Sequence, residues 1–267
     1  MTRFRDLTIA VIHHRTPELL DSCLERVKRS APGARLLVID TGGTSLDELP
    51  TDQAEFVQLE NHSYAHAVNT ALKRCHTPYF AQMNADVLVE PETFTTLLDI
   101  LERPDVGMVG PQCRDKSGRW QDQGPLYRLH HLQLKQRGQS SVSVPWLSGC
   151  LQVLKMEAVQ HTGGMNPGLR FYNDDLEWCW RIRRAGDSCR LVATEVLHLG
   201  GSSTPASLNF LVEGYRGGYL LSLRYKPHLY QLLHRWVVMF EATLQQRFAT
   251  ESHRREAYAQ ILEMFRQ

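Results

Sequence analysis

The stretch Tyr79-Phe-Ala-Gln-Met-Asn84-Ala-Asp86-Val-Leu-Val-Glu-Pro91 decides the fold. An apolar run too short for a helix, Tyr79 to Met83, breaks off at Asn84-Ala85-Asp86. A second run, Val87 to Val89, leads to Glu90-Pro91 and a helix-like pattern. Short apolar runs of this kind suit buried strands. In open α/β sheets ligands sit beyond the carboxyl ends of the strands, so an acid there faces a ligand rather than the core. Asn and Asp also make plain polar turns, and for this stretch taken alone a turn is the simpler reading. The neighbouring stretches decide otherwise.

Upstream, Leu7-Thr-Ile-Ala-Val-Ile12 is rich in β-branched residues and reads as a strand. Thr16-Pro17-Glu18 supplies an N-cap, a proline at the first helical position and an acid in the first turn. Leu19, Leu20, Cys23, Leu24 and Val27 then share one helix face, and Pro32-Gly33 ends it. Leu36 to Ile39 is a second strand, closing on Asp40 and a Gly42-Gly43 turn. Strand, helix, strand in this order predicts a parallel sheet. Phe56 to Leu59 is a third strand, ending in Glu60-Asn61-His62-Ser63, before a helix face of Tyr64, Ala67, Val68, Ala71 and Leu72. Phe94, Leu97, Leu98 and Leu101 form the helix after the central strand, stopped by Pro104.

Three strands therefore end in polar residues, Asp40, Asn61 and Asp86, as a nucleotide site at one sheet edge requires. Neither Gly-x-Gly-x-x-Gly after the first strand nor Gly-Lys-Ser/Thr occurs, so the usual phosphate cradles are missing. Without a glycine loop, a metal held by Asp86 is the natural way to balance a diphosphate.

Downstream, Val106 to Val109 reads as a strand and Gly118-Arg119-Trp120 as a hairpin or loop. Gly124 to Gly138 carries Tyr127, Arg128, His130, His131, Lys135 and Arg137, and fits either a mobile lid or an ordinary surface excursion. Val144 to Leu154 resumes strand character around Gly149, where a glycine marks a bulge or a close approach of backbone to ligand. A glycine-rich loop from Gly163 then runs into Asn173-Asp174-Asp175-Leu-Glu177-Trp-Cys-Trp-Arg181. Asn173 is placed to cap this helix, Leu176, Cys179, Trp180 and Arg183 form its stripe, and Glu177 and Arg181 are spaced as an i,i+4 pair. Acids in a first turn serve as dipole stabilisers. The same field keeps a carboxylate ionised, the state a general base needs at neutral pH. His198 ends a further strand, where it serves as a metal ligand or is simply hydrogen-bonded in place.

The tail repeats Leu229, Leu232, Leu233, Trp236, Val237, Phe240 and Leu244 at helical spacing, and a final helix carries Ala257, Tyr258, Ile261, Leu262 and Phe265. From Pro205 to Gln267 there are eight Lys/Arg and five Glu. Packing on the core is the simpler reading, and a membrane-surface or partner helix is the other.

Composition narrows the class. The 267 residues fit one large α/β domain with an appendage, divided here as 1–204 and 205–267. A net charge of +1 gives no global pull toward nucleic acid or an anionic membrane. No apolar run reaches eighteen residues, and the N-terminus enters a strand without a signal-peptide core. Six scattered cysteines without a Cys-x-x-Cys pair point to reduced thiols in the cytoplasm.

With these stretches assembled, residues Leu7 to Ser203 resemble a family 2 glycosyltransferase of the GT-A type, close to its rhamnosyltransferase-like branch. The resemblance rests on Val38-Ile39-Asp40, Glu60 to Asn69, Met83 to Asp86, Phe171 to Arg181, and His198-Leu-Gly-Gly-Ser202. It implies a Rossmann-like, mostly parallel sheet flanked by helices, with a C-terminal helical extension. It further implies that Asp40, Asn61, Asn69 and Asn84 line the nucleotide pocket. Trp146 and Gly149 match the strand facing donor sugar and acceptor. Asp86, assisted by His198, would hold Mn²⁺ or Mg²⁺, and Asp175, paired with Asp174, would be the catalytic base. Two departures stand out: Asn84 replaces the first acid of the metal motif, and Asp174 is a shorter first acid of the catalytic pair. Ser63 also stands where a glycine is common.

The expected reaction is inverting transfer of a sugar from a nucleotide diphosphate donor to a hydroxyl of a glycan or lipid-linked acceptor. Placement is cytoplasmic, with peripheral attachment at the inner membrane face as the alternative. A nucleotidyltransferase on a related sheet is one rival, although His13-His14-Arg15-Thr16 is not its glycine- and basic-rich loop. A non-catalytic module that binds sugar nucleotides or glycans is the other.

Overall fold

The computed structural model describes residues 3–44, 54–121, 125–200 and 208–266. After a 3-10 turn the chain runs β1 (Leu7–His13), α1 (Pro17–Ser30), β2 (Arg35–Asp40), β3 (Glu55–Gln58) and α2 (Tyr64–Arg74). It continues through β4 (Tyr79–Asn84), β5 (Val87–Leu88), α3 (Thr93–Leu101), β6 (Val106–Arg114), α4 (Pro125–Arg137) and β7 (Ser141–Ser143). Then come β8 (Leu151–Lys155), α5 (Met156–Thr162), α6 (Asp174–Arg184), β9 (Ser188–His198), α7 (Leu208–Tyr225), α8 (His228–Phe248) and α9 (Ser252–Arg266).

The sheet has the order β3-β2-β1-β4-β8-β6-β9-β5, with β7 paired to β9. The parallel pattern expected from strand–helix–strand holds across β3, β2, β1 and β4. Beyond β4 the sheet is mixed, because β8 enters antiparallel between β4 and β6 while β6 and β9 pair parallel. One core layer joins α1 and α3 to the sheet through Leu20, Leu24, Phe94 and Leu97. The other joins α2 and α6 to the opposite face through Val68, Ala71, Trp178 and Ile182. Helical burial of this kind is what the one-faced apolar spacing dictates.

Several local expectations are corrected. Thr16 makes no side-chain cap of α1. Its backbone N–H donates instead to His13 Nε2 at 3.1 Å. Asn173 does not cap α6 with its side chain either. It adopts a left-handed φ of 66° and donates Nδ2 to the Gly214 carbonyl at 3.1 Å. The buried stripe of α6 is Asp174, Glu177, Trp178, Cys179 and Ile182, not the face through Trp180 and Arg183. Gly149 lies in the turn before β8 rather than inside a strand.

Residues 112–143 contain a helix anchored to the sheet. His131 of α4 is buried, stacks on Trp120 at 4.8 Å and bonds Gln112 Oε1 at 2.9 Å. Gly124 and the side chain of Tyr127 fall outside the described residues.

Helix α7 packs against α6. Phe171 meets Phe210 edge-on, Tyr225 meets Trp180, and the bare Cα of Gly217 admits Asn173, whose Nδ2 would lie 2.7 Å from a Cβ there. Helices α8 and α9 form their own small core with Val238, Ala242, Ile261 and Phe265. The apolar face of α8 expected to pack on the domain is the exposed one: Leu229, Leu232, Leu233, Trp236, Val237, Phe240 and Leu244 all face outward. The expected boundary at 204/205, with Ser202 and Ser203, lies outside the described residues.

Candidate functional site

A cleft of about 980 Å³ opens at the carboxyl edge of the sheet. Asn84 and Asp86 reach it because β4 ends there, parallel to β1 with Ile12 opposite Asn84. His198 reaches it because β5 and β9 run antiparallel with Val87 opposite His198, which sets the histidine beside Asp86. Asp174 and Asp175 enter from the first turn of α6, and Trp146, Ser148 and Gly149 from the turn before β8. Two acids far apart in the chain, Asp86 and Asp175, thus line one cleft.

His198 Nε2 lies 3.3 Å from Asp86 Oδ1. Its Nδ1 lies 2.9 Å from Gln121 Oε1, and an amide oxygen there keeps the ring proton on Nδ1. Burial alone lowers the imidazole pKa; the Asp86 carboxylate and the Cys150 thiol outweigh it, and the net shift is upward. Asp86 is 4% exposed, and its Oδ1, like Asn84 Oδ1, is buried without a hydrogen-bond partner among the described residues. Two orphaned oxygens beside an imidazole nitrogen whose proton is held on the far side suit a divalent cation. Among the described residues no group of three His, Cys, Asp or Glu forms a closed metal site.

The two α6 acids are differently held. Asp175 Oδ2 accepts the Gly149 N–H at 2.9 Å and Oδ1 accepts the Leu176 N–H at 2.7 Å. Burial raises its pKa, and these donors oppose the rise. Asp174 is 6% exposed and its Oδ2 has no partner among the described residues; burial, then repulsion from Asp175, pushes its pKa up to about 7. Neighbouring carboxylates in one dry site cannot both ionise freely, so their titrations separate.

The Gly149 turn is held by a polar network that sequence reasoning did not identify. Gln82 Nε2 donates to the Gly149 carbonyl at 2.8 Å and to Gln152 Oε1 at 3.2 Å. Gln152 Nε2 donates to the Leu147 carbonyl at 2.9 Å, and the Tyr64 hydroxyl sits against Gln82 Oε1 and 3.0 Å from the Gly149 carbonyl. Alternating polar residues at Gln82 and Gln152, facing each other across β4 and β8, are the signal that was available. Gln121, Phe171 and Phe210 also line the cleft unforeseen. Cys150 does too, its thiol drawn to about 7 by Cys113, whose sulfur is 3.0 Å away.

Two expected nucleotide residues are not among those that line the cleft. Asp40 is fully buried and does not line the cleft. Its carboxylate accepts from Gly42 N and Thr44 N, both at 3.0 Å, and meets His13 Nδ1 at 2.9 Å. Because His13 Nε2 accepts from Thr16, the ring proton sits on Nδ1 and points at Asp40. Asn69 also lies off the cleft and donates Nδ2 to the Met165 carbonyl at 2.8 Å, tying α2 to the following loop. Asn61, by contrast, is exposed at the cleft mouth. Ser63 caps α2 by accepting from His66 N at 3.1 Å.

The profile of glycosyl transferase family 2 matches residues 8–163. Over 115 residues the chain is 30% identical to the teichoic acid poly(glycerol phosphate) polymerase of Staphylococcus epidermidis, covering 39% of this chain and 16% of that protein. It is 26% identical over 186 residues to the pre-mycofactocin glycosyltransferase of Mycobacterium tuberculosis, covering 63% of this chain and 38% of that one. The chain thus spans well under half of either relative.

Among solved structures, mannosyltransferase PcManGT from Pyrobaculum calidifontis, in complex with GDP-Man and Mn²⁺, superposes with a TM-score of 0.61 at 18% identity, over 97% of this chain and 73% of that one. GalNAc-T7 with UDP, GalNAc and Mn²⁺ gives 0.62 at 15% identity, over 97% and 55%. S. aureus TarS gives 0.64 at 11% identity, over 97% and 48%. At such identities the likeness establishes the shared GT-A fold.

Proposed function

Since the chain belongs to glycosyl transferase family 2, which its sequence matches over more than half its length, we propose that it transfers a sugar from a nucleotide diphosphate donor to an acceptor hydroxyl with inversion. The observation that carries this reading is the single cleft that joins Asp86, Asn84 and His198 to Asp174 and Asp175. A diphosphate donor suits the first group and a sugar acceptor the second. Complexes of the structural neighbours with GDP-Man, UDP and Mn²⁺ support a nucleotide-sugar donor and a divalent cation.

In this mechanism Asp175 is the general base. Its two backbone donors hold the carboxylate in one orientation and favour its ionised form. It takes the proton from the acceptor hydroxyl as that oxygen bonds to the anomeric carbon, on the face opposite the departing diphosphate. Asp174, protonated near neutrality, donates a hydrogen bond to a sugar hydroxyl from its unpartnered oxygen. Asn84 Oδ1, Asp86 Oδ1 and His198 Nε2 would hold Mn²⁺ or Mg²⁺, with Gln121 fixing the imidazole from behind. When bound, the cation supplies Lewis-acid stabilisation of charge on the leaving diphosphate.

Asp40 then acts by shaping the β1 and β2 ends around His13, not by touching the base. Asn61 contacts the nucleotide from the cleft mouth, and Trp146 with Gly149 borders the sugar and acceptor. Residues 1–204 carry the reaction and 205–267 form the appended unit. Six buried free cysteines suit a reducing cytoplasm. The acceptor class is a glycan or a lipid-linked precursor, and hexosyl or deoxyhexosyl transfer in polysaccharide synthesis fits both.

A thermal-shift panel of UDP, dTDP and GDP sugars, with and without Mn²⁺ or Mg²⁺, tests the binding half. A donor at a hundred times its dissociation constant stabilises by roughly 2.7 kcal/mol. One nucleotide class should raise Tm only with metal, and Asp86→Ala should abolish the metal dependence. Flat melting curves across the whole panel would remove the donor assignment.

A further inference from the structure

Helix α8 carries an apolar stripe that nothing among the described residues covers. Leu229, Leu233, Trp236, Phe240, Leu244 and Phe248 fall on one face at helical spacing, and Trp236 and Phe240 are 71% and 68% exposed. The opposite face, with Val238 and Ala242, is the one that packs on α9. Monomeric soluble proteins rarely leave so large a continuous apolar patch in water. A helix of this length lays about 30 Å of that patch along the surface. Among the described residues no helix is long and apolar enough to cross a membrane.

A second observation lies where α7 turns into α8. Trp180, Arg183, Arg184, Tyr225 and Lys226 line a pocket of about 320 Å³. Lys226 Nζ sits 4.6 Å from the Trp180 ring centre, and the Arg184 guanidinium 4.7 Å from that of Tyr225. Among the described residues none of these three cations is paired with a carboxylate. From Arg224 to Phe248 the chain has four Lys/Arg and one acid, Glu241. A second copy docked through this same face would bring one net-positive surface against another. An anionic lipid surface answers both features at once.

We propose that this face is a bilayer-docking surface. The α8 stripe enters the headgroup–acyl boundary of an anionic membrane, and the cationic pocket at the α7–α8 corner receives a lipid phosphate. Binding then draws on buried apolar area and on attraction to negative headgroups, as for other interfacial helices. The proposal stands independently of the transfer reaction.

Co-sedimentation of the full chain with vesicles of phosphatidylcholine, alone or with added phosphatidylglycerol, tests it. The protein should pellet with the mixed vesicles and remain largely soluble with phosphatidylcholine alone. Arg184→Gln with Lys226→Gln should weaken binding roughly fivefold per charge removed, and high salt should do likewise. Trp236→Ser with Phe240→Ser should weaken it more than roughly tenfold, with Tm unchanged because both side chains are exposed. Failure to pellet with mixed vesicles would overturn the proposal, as would equal pelleting of the Trp236/Phe240 variant. So would a dimer in light scattering that this variant dissolves while vesicles leave the protein in solution.

Discussion

The Gly149 backbone N–H donates to Asp175 Oδ2 at 2.9 Å, and a Cβ on Gly149 would stand 3.3 Å from the Asp175 Cβ. The glycine is therefore in contact with the acid it orients. Gly149→Ala should push that carboxylate by a few tenths of an ångström without unfolding the protein. A misplacement of about 1 Å at a reacting group costs roughly a hundredfold, so a shift of a few tenths should cost roughly two- to tenfold in turnover. Steady-state kinetics should show the loss in kcat with KM for donor near wild type and Tm little changed.

Asp174 predicts a pH effect on stability. Burial, followed by the neighbouring Asp175, lifts its pKa to about 7 in the folded protein. Between roughly pH 4 and 7 the folded chain holds a proton that the unfolded chain has released, so stability falls as pH rises through that window. Asp174→Asn removes the titrating group. The variant should gain on wild type between pH 5 and pH 8, by up to roughly 2.7 kcal/mol, two pH units at about 1.36 kcal/mol each. Denaturant melts at the two pH values measure it, and a gap that stays constant would contradict the burial argument.

Gln121 holds His198 from behind through Nδ1. Loss of such a support typically lowers metal affinity about ten- to a hundredfold. Gln121→Ala should show this in Mn²⁺ titrations of the donor complex. Asn84→Asp should act in the opposite sense, strengthening Mn²⁺ binding by at least about tenfold through a second carboxylate.

Glu177 fastens the appendage to the domain. It is fully buried, accepts Arg181 Nε at 2.8 and 3.0 Å, and accepts the Tyr225 hydroxyl from α7. Removing one member of a buried ion pair strands the other charge, at about 3–5 kcal/mol. Glu177→Ala should lower unfolding stability by about that much, and Glu177→Gln by less. Urea denaturation distinguishes them.

Much of this architecture was legible from local pattern. The strand end at Asp40, the turn at Asp86 after β4, the α6 acids and the Glu177–Arg181 pair all follow from spacing along one element. What spacing does not encode is the partner. Asp40 looks as ligand-facing as Asp86, and only the β1–β2 register, which sets His13 opposite it, turns it inward. Asn69 lies in the predicted helix but off its apolar face, and the Gly163–Met165 loop claims its amide. The α8 periodicity revealed an apolar face and left open what that face meets, since water and core produce the same spacing. The antiparallel entry of β8 was hidden for a similar reason: a fully buried strand reads identically in either direction.

The most direct test of the central claim is release of nucleoside diphosphate from the donor selected by thermal shift, with saturating metal and acceptor, by wild type and Asp175→Asn. General-base catalysis is worth about 10²–10⁴-fold. Asp175→Asn should bind donor as tightly as wild type and lose turnover by that factor. Turnover in Asp175→Asn equal to that of wild type would contradict the claim.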